Sequence, residues 1–330
     1  MLKFMDGFDQ FLDIPITGTG YTLAGLMNVS GYTLTGEVKL DEGRVATTRA
    51  LLLGDGGSKA GSVKRTFTTQ DQMAVIGFAY RAEASRDNVV AITSLGTLGW
   101  NKDTAKMTFA GGQGSATILL DLWYYYEIVV DKANQLVQVW INNTKDIEVA
   151  LPSTAQFLTN FECLWSSAAN DKKYLDDLYF LDGSAGQYTE RVGPMAIQAR
   201  LPTEDIDKEW SPSTGSVHWD LVNNQPPKDT EFVQSNVSGA MDTFRSNQTV
   251  PTDGQVIAVG ITVMNRKSDI DARQLGMVVG GKGQTQKEVI DTDLLTTPKY
   301  SYAVFETAPD GSTWTATSVT NTPFGVAVRP

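Results

Sequence analysis

Alternation of apolar and polar side chains is clearest between residues 122 and 183. In the segment YYYEIVVD at 124–131, Tyr126, Ile128 and Val130 lie on one face of the predicted strand, and Glu127 and Asp131 lie on the other. After a short polar turn, the segment VQVWIN at 137–142 has the same two-residue period. This period is typical of half-buried antiparallel strands, so the two segments predict a β-hairpin.

Segments with the same period recur along the chain and are separated by turns rich in glycine and asparagine. Helical turns are indicated only around 155–158 and 268–275, because no longer stretch has a 3.6-residue period. Many short strands with this punctuation predict an all-β protein built as a sandwich or jelly roll. The other predicted strands are 44–53, 62–67, 73–82, 89–95, 106–109 and 116–120 in the first half, and 256–264, 275–279, 287–290, 300–306, 313–319 and 324–328 in the second.

A break in composition at 183–187 (GSAGQ) divides the chain, and 330 residues are enough for two cores. We therefore predict a first domain at 1–186 and a second at 187–330. The second domain contains a stretch rich in Pro, Ser, Asn and Asp. Large aromatic side chains bury the most area, so we expect this stretch to be an ordered loop anchored by Trp210 and Trp219.

Carboxylates are the first candidates for catalysis in such a fold. A glycosidase needs two of them, about 5 to 5.5 Å apart when the reaction retains configuration. Glu127 and Asp131 share a strand face with Val129 between them, and adjacent Asp176 and Asp177 are expected to point to opposite faces. Neither pair predicts a catalytic site, and we expect no enzyme activity.

Metal and cofactor sites are not predicted either. The chain has one histidine, His218, and one cysteine, Cys163, which is too few for zinc or a histidine-based triad. We expect His218 to pack within a loop and Cys163 to be a small buried apolar residue. Aspartates near Asp6 and Asp182 could supply some calcium ligands, but they lack the dense spacing of a calcium loop.

Charge and hydropathy exclude two classes of partner. The formal net charge is −11 without a sizeable basic cluster, so nucleic-acid binding is not expected. No apolar run reaches the roughly 18 to 20 residues of a membrane span, so no membrane insertion is expected. The N-terminal residues lack the apolar core of a signal peptide, which predicts synthesis in a cytoplasm.

Aromatic side chains are the remaining candidates for binding. Tyr125 and Trp123 share one strand face, and Trp140 lies on the polar face of the next strand. Because aromatic rings offer a large apolar area with a polar edge, these three residues predict a contact with a glycan or with a neighbouring subunit.

Short motifs in both halves of the chain resemble motifs of a known class of proteins. Met5-Asp6-Gly7-Phe8-Asp9, VQVWIN and DDLYFLDG at 176–183 resemble the concanavalin-A-like (laminin-G-type) jelly roll of tailed-bacteriophage structural proteins. WSPSTG at 210–215 and His218-Trp219, with the closing Glu306, Trp314-Thr315 and Phe324-Gly325-Val326, resemble the block that follows this jelly roll in phage virion proteins. The resemblance implies a concanavalin-A-like jelly roll followed by a smaller β-sandwich for virion assembly.

The resemblance also implies a function. We expect a non-enzymatic structural component of a tailed-phage particle, such as a decoration, collar or tail-associated protein. Its expected partners are other phage structural proteins and further copies of itself, in the virion after synthesis in the bacterial host cytoplasm. The alternatives are a glycan- or receptor-binding fibre protein, with a host surface glycan as partner, and a jelly-roll glycan hydrolase.

Overall fold

A computed structural model describes residues 1–11 and 21–330. These residues form two compact units. The first contains residues 1–11 and 23–198, and the second contains residues 21–22 and 199–330. Residues 187–198, which follow the predicted junction, therefore group with the first unit.

Strands dominate the first unit, whose regular helix is α1 (Leu23–Val29), with 3-10 turns at Asp9–Phe11 and Ser153–Ala155. Its strands are β1 (Leu2–Asp6), β2 (Tyr32–Gly36), β3 (Val38–Glu42), β4 (Arg49–Leu53), β5 (Gly61–Thr68), β6 (Met73–Ala82), β7 (Asn88–Ile92), β8 (Gly96–Asn101), β9 (Lys106–Phe109), β10 (Gly112–Thr117), β11 (Tyr124–Asp131), β12 (Leu136–Ile141), β13 (Thr144–Ala150), β14 (Asn160–Ser166) and β15 (Lys173–Asp182).

These strands form two antiparallel sheets. Sheet A has the order β13-β12-β11-β6-β15-β4-β3, with β1 also paired to β15, and sheet B has the order β10-β9-β8-β7-β14-β5-β2. Aromatic rings from the two sheets meet in a shared core: Phe67 stacks on Phe180 at 4.7 Å between centroids, and Phe78 meets Trp165 edge-on at 5.5 Å. The first unit is thus a jelly-roll sandwich, as the alternating pattern predicts.

The second unit is a smaller β-sandwich. Its strands are β16 (Glu204–Lys208), β17 (Ser211–Pro212), β18 (Val233–Gln234), β19 (Met241–Arg245), β20 (Val259–Asn265), β21 (Gln274–Val279), β22 (Lys287–Asp291), β23 (Lys299–Phe305) and β24 (Phe324–Arg329), with helix α2 (Ala316–Asn321) and a 3-10 turn at Trp219–Leu221. Sheet C has the order β16-β19-β24-β21-β22, and β20 pairs antiparallel with β23 in a separate two-stranded sheet. Side chains of β21 pack against this two-stranded sheet around buried Trp314, whose indole donates to the Phe305 carbonyl at 2.8 Å. The all-β prediction is confirmed for both units.

Two local predictions are wrong. Residues 268–275 do not form a helix, because the Asp269 carboxylate accepts the Asp271 amide at 3.0 Å and this local bond competes with helical bonding. The predicted strand at 313–319 is replaced by the start of α2, whose first turn is fixed by reciprocal bonds between Thr315 and Ser318.

Candidate functional site

The outward face of sheet A carries a cluster of aromatic and acidic side chains. Glu127 of β11 lies opposite Trp140 on one side and Gly77 on the other, and Tyr179 of β15 also lies opposite Gly77. A Cβ atom at Gly77 would overlap the Tyr179 ring. The glycine therefore lets Tyr179 lie across β6, and its hydroxyl reaches Glu127 at 2.6 Å.

Glu127 is 1% exposed and connects this face to a later segment of the chain, residues 191–197, which we call the strap. Its carboxylate accepts hydrogen bonds from Arg191 Nη1 and from the Gly193 amide, each at 2.8 Å. The Arg191 guanidinium also lies 3.6 Å from the centroid of the Trp140 ring and donates to Asn143 at 2.7 Å. Trp140 is thus covered by a side chain of the same molecule.

A second anchor of the strap is formed by Asp177. Its carboxylate accepts the Ile197 amide at 2.6 Å and Arg44 Nε at 2.8 Å, and Arg44 also donates to the Met195 carbonyl. Tyr125 donates its hydroxyl to the Asp177 carbonyl at 3.0 Å. The strap is therefore held at both ends by buried carboxylates of sheet A.

Asp176 and Asp177 do not alternate as the sequence predicts. The pairing of β15 with β6 shifts register between Asp176 and Tyr179, and Asp177 has a left-handed φ of 49°. Such a bulge breaks the two-residue period, and both carboxyl groups are buried. Burial, and after it the charge of Asp177, raises the pKa of Asp176 to about 8. Burial also raises the pKa of Asp177, while the Arg44 charge opposes that rise.

Trp123, Tyr125 and Trp140, the three residues predicted to contact a glycan or a subunit, do not lie together in the structure. Tyr125 and Trp140 belong to the strap cluster, and Tyr125 is 3% exposed, so its ring offers no surface to an external ligand in this structure. Trp123 is half-buried elsewhere on sheet A, with its ring 6.1 Å from Tyr174 and 5.5 Å from the Arg81 guanidinium. The sequence missed Glu127 and Arg191 as the centre of this face.

The stretch 202–229 of the second unit, which the sequence predicts as a long ordered loop, contains β16, β17 and the 3-10 turn at Trp219–Leu221, and aspartates hold it in place. Trp210 and Trp219 are half-buried, and the Trp210 indole donates to the Ala240 carbonyl at 3.1 Å. Asp242 accepts the Trp210 amide at 2.8 Å and contacts His218 Nδ1 at 2.6 Å. Asp205 accepts the Trp219 amide at 2.6 Å. His218 is buried in this network, and alternation alone could not have located its partner Asp242.

The outward face of sheet B is open by comparison. A shallow depression of about 490 Å³ lies beside the β7–β8 turn, and its polar lining includes Thr93, Ser94, Thr97, Thr154 and Glu162. The Glu162 carboxylate lies 3.3 Å from the Thr93 hydroxyl and 3.2 Å from Lys64 Nζ. These groups present hydroxyl donors and a carboxylate acceptor to an approaching polar molecule. Sequence alternation places Glu162 and Leu164 on one face of β14 but does not reveal the depression.

Neither a metal site nor a reactive thiol is evident in the described part of the chain. Across residues 1–11 and 21–330, no group of three or more His, Cys, Asp or Glu side chains could hold a metal ion. Burial raises the pKa of the Cys163 thiol, which disfavours the reactive thiolate. In the same residues, no helix is long and apolar enough to cross a membrane.

No protein-family model matches the chain, and no curated protein sequence matches it significantly. Among solved structures, a sialidase is similar at 10% identity and a TM-score of 0.37, over 47% of this chain but only 17% of the sialidase. The metal-free carbohydrate recognition domain of Emp46p is similar at 11% identity and a TM-score of 0.34, over 45% of this chain and 87% of that domain. A Bacillus subtilis protein of unknown function with a galectin-like fold is similar at 10% identity and a TM-score of 0.38, over 55% and 97%. Similarities of this strength carry no argument about what the chain binds.

Proposed function

We propose that this chain is a non-enzymatic binding protein that serves as a structural component of a tailed-phage particle. The non-enzymatic part of the proposal rests on the buried carboxylates of sheet A, which already accept hydrogen bonds from within the protein. Glu127 and Asp177 each accept hydrogen bonds from the strap and from a second side chain. The assignment to a phage particle rests on the virion-type motifs of the sequence.

Hydrolysis of a glycan would require a free acid and a free nucleophile or base on either side of the bond. The pKa of Asp176 is raised to about 8, as a general acid would need. Its two carboxyl oxygens, however, accept hydrogen bonds from the backbone amides of Arg44 and Asp177 at 2.9 and 2.8 Å. Its neighbour Asp177 forms an ion pair with Arg44, with 2.7 Å between the Asp177 carboxylate and Arg44 Nη2. This arrangement supports a structural role for the pair, because perturbed pKa values also arise in buried ion-pair networks.

Particle composition tests the structural role directly. Quantitative mass spectrometry of purified phage particles encoding this chain should find it at a fixed, repeated copy number relative to the major capsid protein. The same full-length protein should release no reducing sugar from bacterial surface polysaccharides. Absence of the chain from particles would refute the structural role, and sustained turnover would refute the non-enzymatic part.

Glycan binding is a second candidate function, and the depression on sheet B favours it. Its volume of about 490 Å³ lies within the range of small-molecule sites, roughly 300 to 1,000 Å³. Threonine and serine hydroxyls with one carboxylate match the alternating donors and acceptors of a sugar. Ala91, Ile92, Leu95 and Leu164 supply an apolar part of the lining that is larger than the polar part.

Two lysine substitutions on the same sheet face test this candidate. Thr97→Lys fills the depression, whereas Thr35→Lys places the same side chain on β2, at the far edge of sheet B. We expect Thr97→Lys to abolish binding on a glycan array and Thr35→Lys to leave it unchanged. Equal binding by both variants, or no binding by the unmodified protein, would remove glycan recognition at this site.

A further inference from the structure

The edge strand β22 of the second unit is unprotected. It is the last strand of sheet C, and among the described residues only β21 pairs with it. Val289 is 37% exposed and Ile290 is 44% exposed, and these adjacent residues lie on opposite faces of the strand. An exposed edge strand with an apolar residue at the centre of each face is a template for pairing with another strand.

The opposite edge of sheet C is protected in the usual ways. Strand β16 carries charged residues along its length, and its pairing with β19 shifts register between Asp205 and Asp207. Charges and bulges of this kind discourage edge-to-edge association. Strand β22 is charged at Lys287, Glu288 and Asp291, but its pairing with β21 has no register shift, it contains no proline, and its exposed centre is apolar. Within sheet C, the β22 edge is therefore the one suited to pairing with a further strand.

The charge pattern of β22 is complementary to itself in an antiparallel pair, as pairing with a second copy of this chain requires. The strand reads Lys287-Glu288-Val289-Ile290-Asp291. When two copies pair antiparallel with Val289 facing Val289, each Lys287 faces an Asp291 of the other copy, and each Glu288 faces an Ile290. A shift by one residue toward the C-terminus would place Glu288 opposite Asp291, and centring the pair on Glu288 would oppose two glutamates. Like charges directly opposite are destabilising, and the Val289-centred register is also the one that pairs all five residues of β22, so this register is favoured.

We propose that β22 pairs with β22 of a second copy across a two-fold axis at Val289, extending sheet C into the second molecule. The charged ends of the strand are already held in position. Asp291 lies 2.9 Å from Lys299 Nζ, and Lys287 donates to the Thr307 hydroxyl. This ordering lowers the entropy lost on association.

Apolar side chains near the edge add contact area. Leu295, in the loop after β22, is 43% exposed, and its carbonyl accepts the Lys267 amide at 2.7 Å. That bond holds the loop at 266–273, which contains Ile270 at 91% exposure, next to the segment after β22. Two short strands with these few flanking apolar side chains bury an area at the lower end of the range for specific interfaces. We therefore expect a weak dimer in free solution. Repetition on a particle would strengthen it by avidity.

Sedimentation velocity of the full chain over about 1 to 100 µM tests the pairing, with dissociation constants in the micromolar range expected. Val289→Lys places two lysines opposite each other at the axis and should raise the dissociation constant at least about tenfold. Ile290→Lys removes a similar apolar side chain but places its lysine opposite Glu288 of the second copy, so the constant should stay within about threefold. Both positions are exposed, and unchanged melting temperatures would verify that the variants fold.

A mixing experiment distinguishes pairing in this register from non-specific association. Val289→Lys and Val289→Glu should each self-associate at least about tenfold more weakly than the unmodified protein and should form a heterodimer when mixed, because opposite charges then meet at the axis. A monomeric unmodified protein over the whole range would overturn the proposal. Equal weakening by the Val289 and Ile290 lysine variants, or no heterodimer on mixing, would overturn it as well.

Discussion

Replacing Glu127 with glutamine isolates the interaction that holds the strap on sheet A. The substitution keeps the size of the side chain and leaves one oxygen to accept the Tyr179 hydroxyl and the Gly193 amide. The amide nitrogen then faces Arg191 Nη1, so that two donors meet where the structure has a 2.8 Å ion pair. The change removes one charge-assisted hydrogen bond and creates a conflict within a buried site.

The expected size of the effect follows from burial. Hydrogen bonds to charged groups are worth about 1.5 to 3 kcal/mol, and breaking a fully buried pair costs about 3 to 5 kcal/mol. The Arg191 side chain is 21% exposed, so water partly compensates its lost partner. We therefore expect Glu127→Gln to weaken strap attachment by about 2 to 3 kcal/mol, which corresponds to a roughly 30- to 140-fold increase in local opening.

Hydrogen exchange read by mass spectrometry measures this opening in peptides that cover the strap. Exchange at the Gly193 and Ile197 amides should accelerate, while peptides from β24 should be unchanged. Glu148→Gln is the matched control, because it removes the same charge from an exposed pair with Lys145 at 2.6 Å. Exposed pairs contribute about 0.2 to 1 kcal/mol, so this control should leave strap exchange unaltered. An unchanged strap in Glu127→Gln, or equal acceleration in both variants, would contradict the role given to Glu127.

Three further outcomes are expected. Gly77→Ala should destabilise the first unit by at least about 1 to 3 kcal/mol in thermal denaturation, because its Cβ would overlap the Tyr179 ring; Gly254→Ala, with no atom within 4 Å of the added Cβ, should melt like the unmodified protein. The folded-state pKa of Asp176 is raised from 3.8 to about 8, so the folded protein binds more protons than the unfolded chain between these values and stability should fall as pH rises. Urea unfolding from about pH 5.5 to 8 should show this decline, and Asp176→Asn should flatten it; a flat profile for the unmodified protein would contradict the assignment. A fragment of residues 1–198 should melt higher than one of residues 1–186, because the shorter fragment lacks the strap, and coinciding circular dichroism melting curves would show that the strap adds no stability.

Local pattern was sufficient for the fold class. The two-residue period in β11 and β12 predicts which side chains enter the core, and Tyr126 is buried between the sheets as that period requires. A period reports only the distribution of side chains between two faces of one strand. It therefore predicted strands well and failed where a local hydrogen bond or a capping box competed with extended structure, as at Asp269 and Thr315.

The site depended on contacts between residues that are distant in sequence. Glu127 and Arg191 are 64 positions apart, and Arg44 and Asp177 are 133 apart, so no local pattern could pair them. The bulge at Asp177 also cancelled the alternation that had separated it from Asp176. The sequence alone determined the composition of each strand face, including the self-complementary charges of β22. Only the tertiary structure decided which faces were covered by the chain itself and which edge was left open, because burial depends on what packs against a strand as well as on the strand.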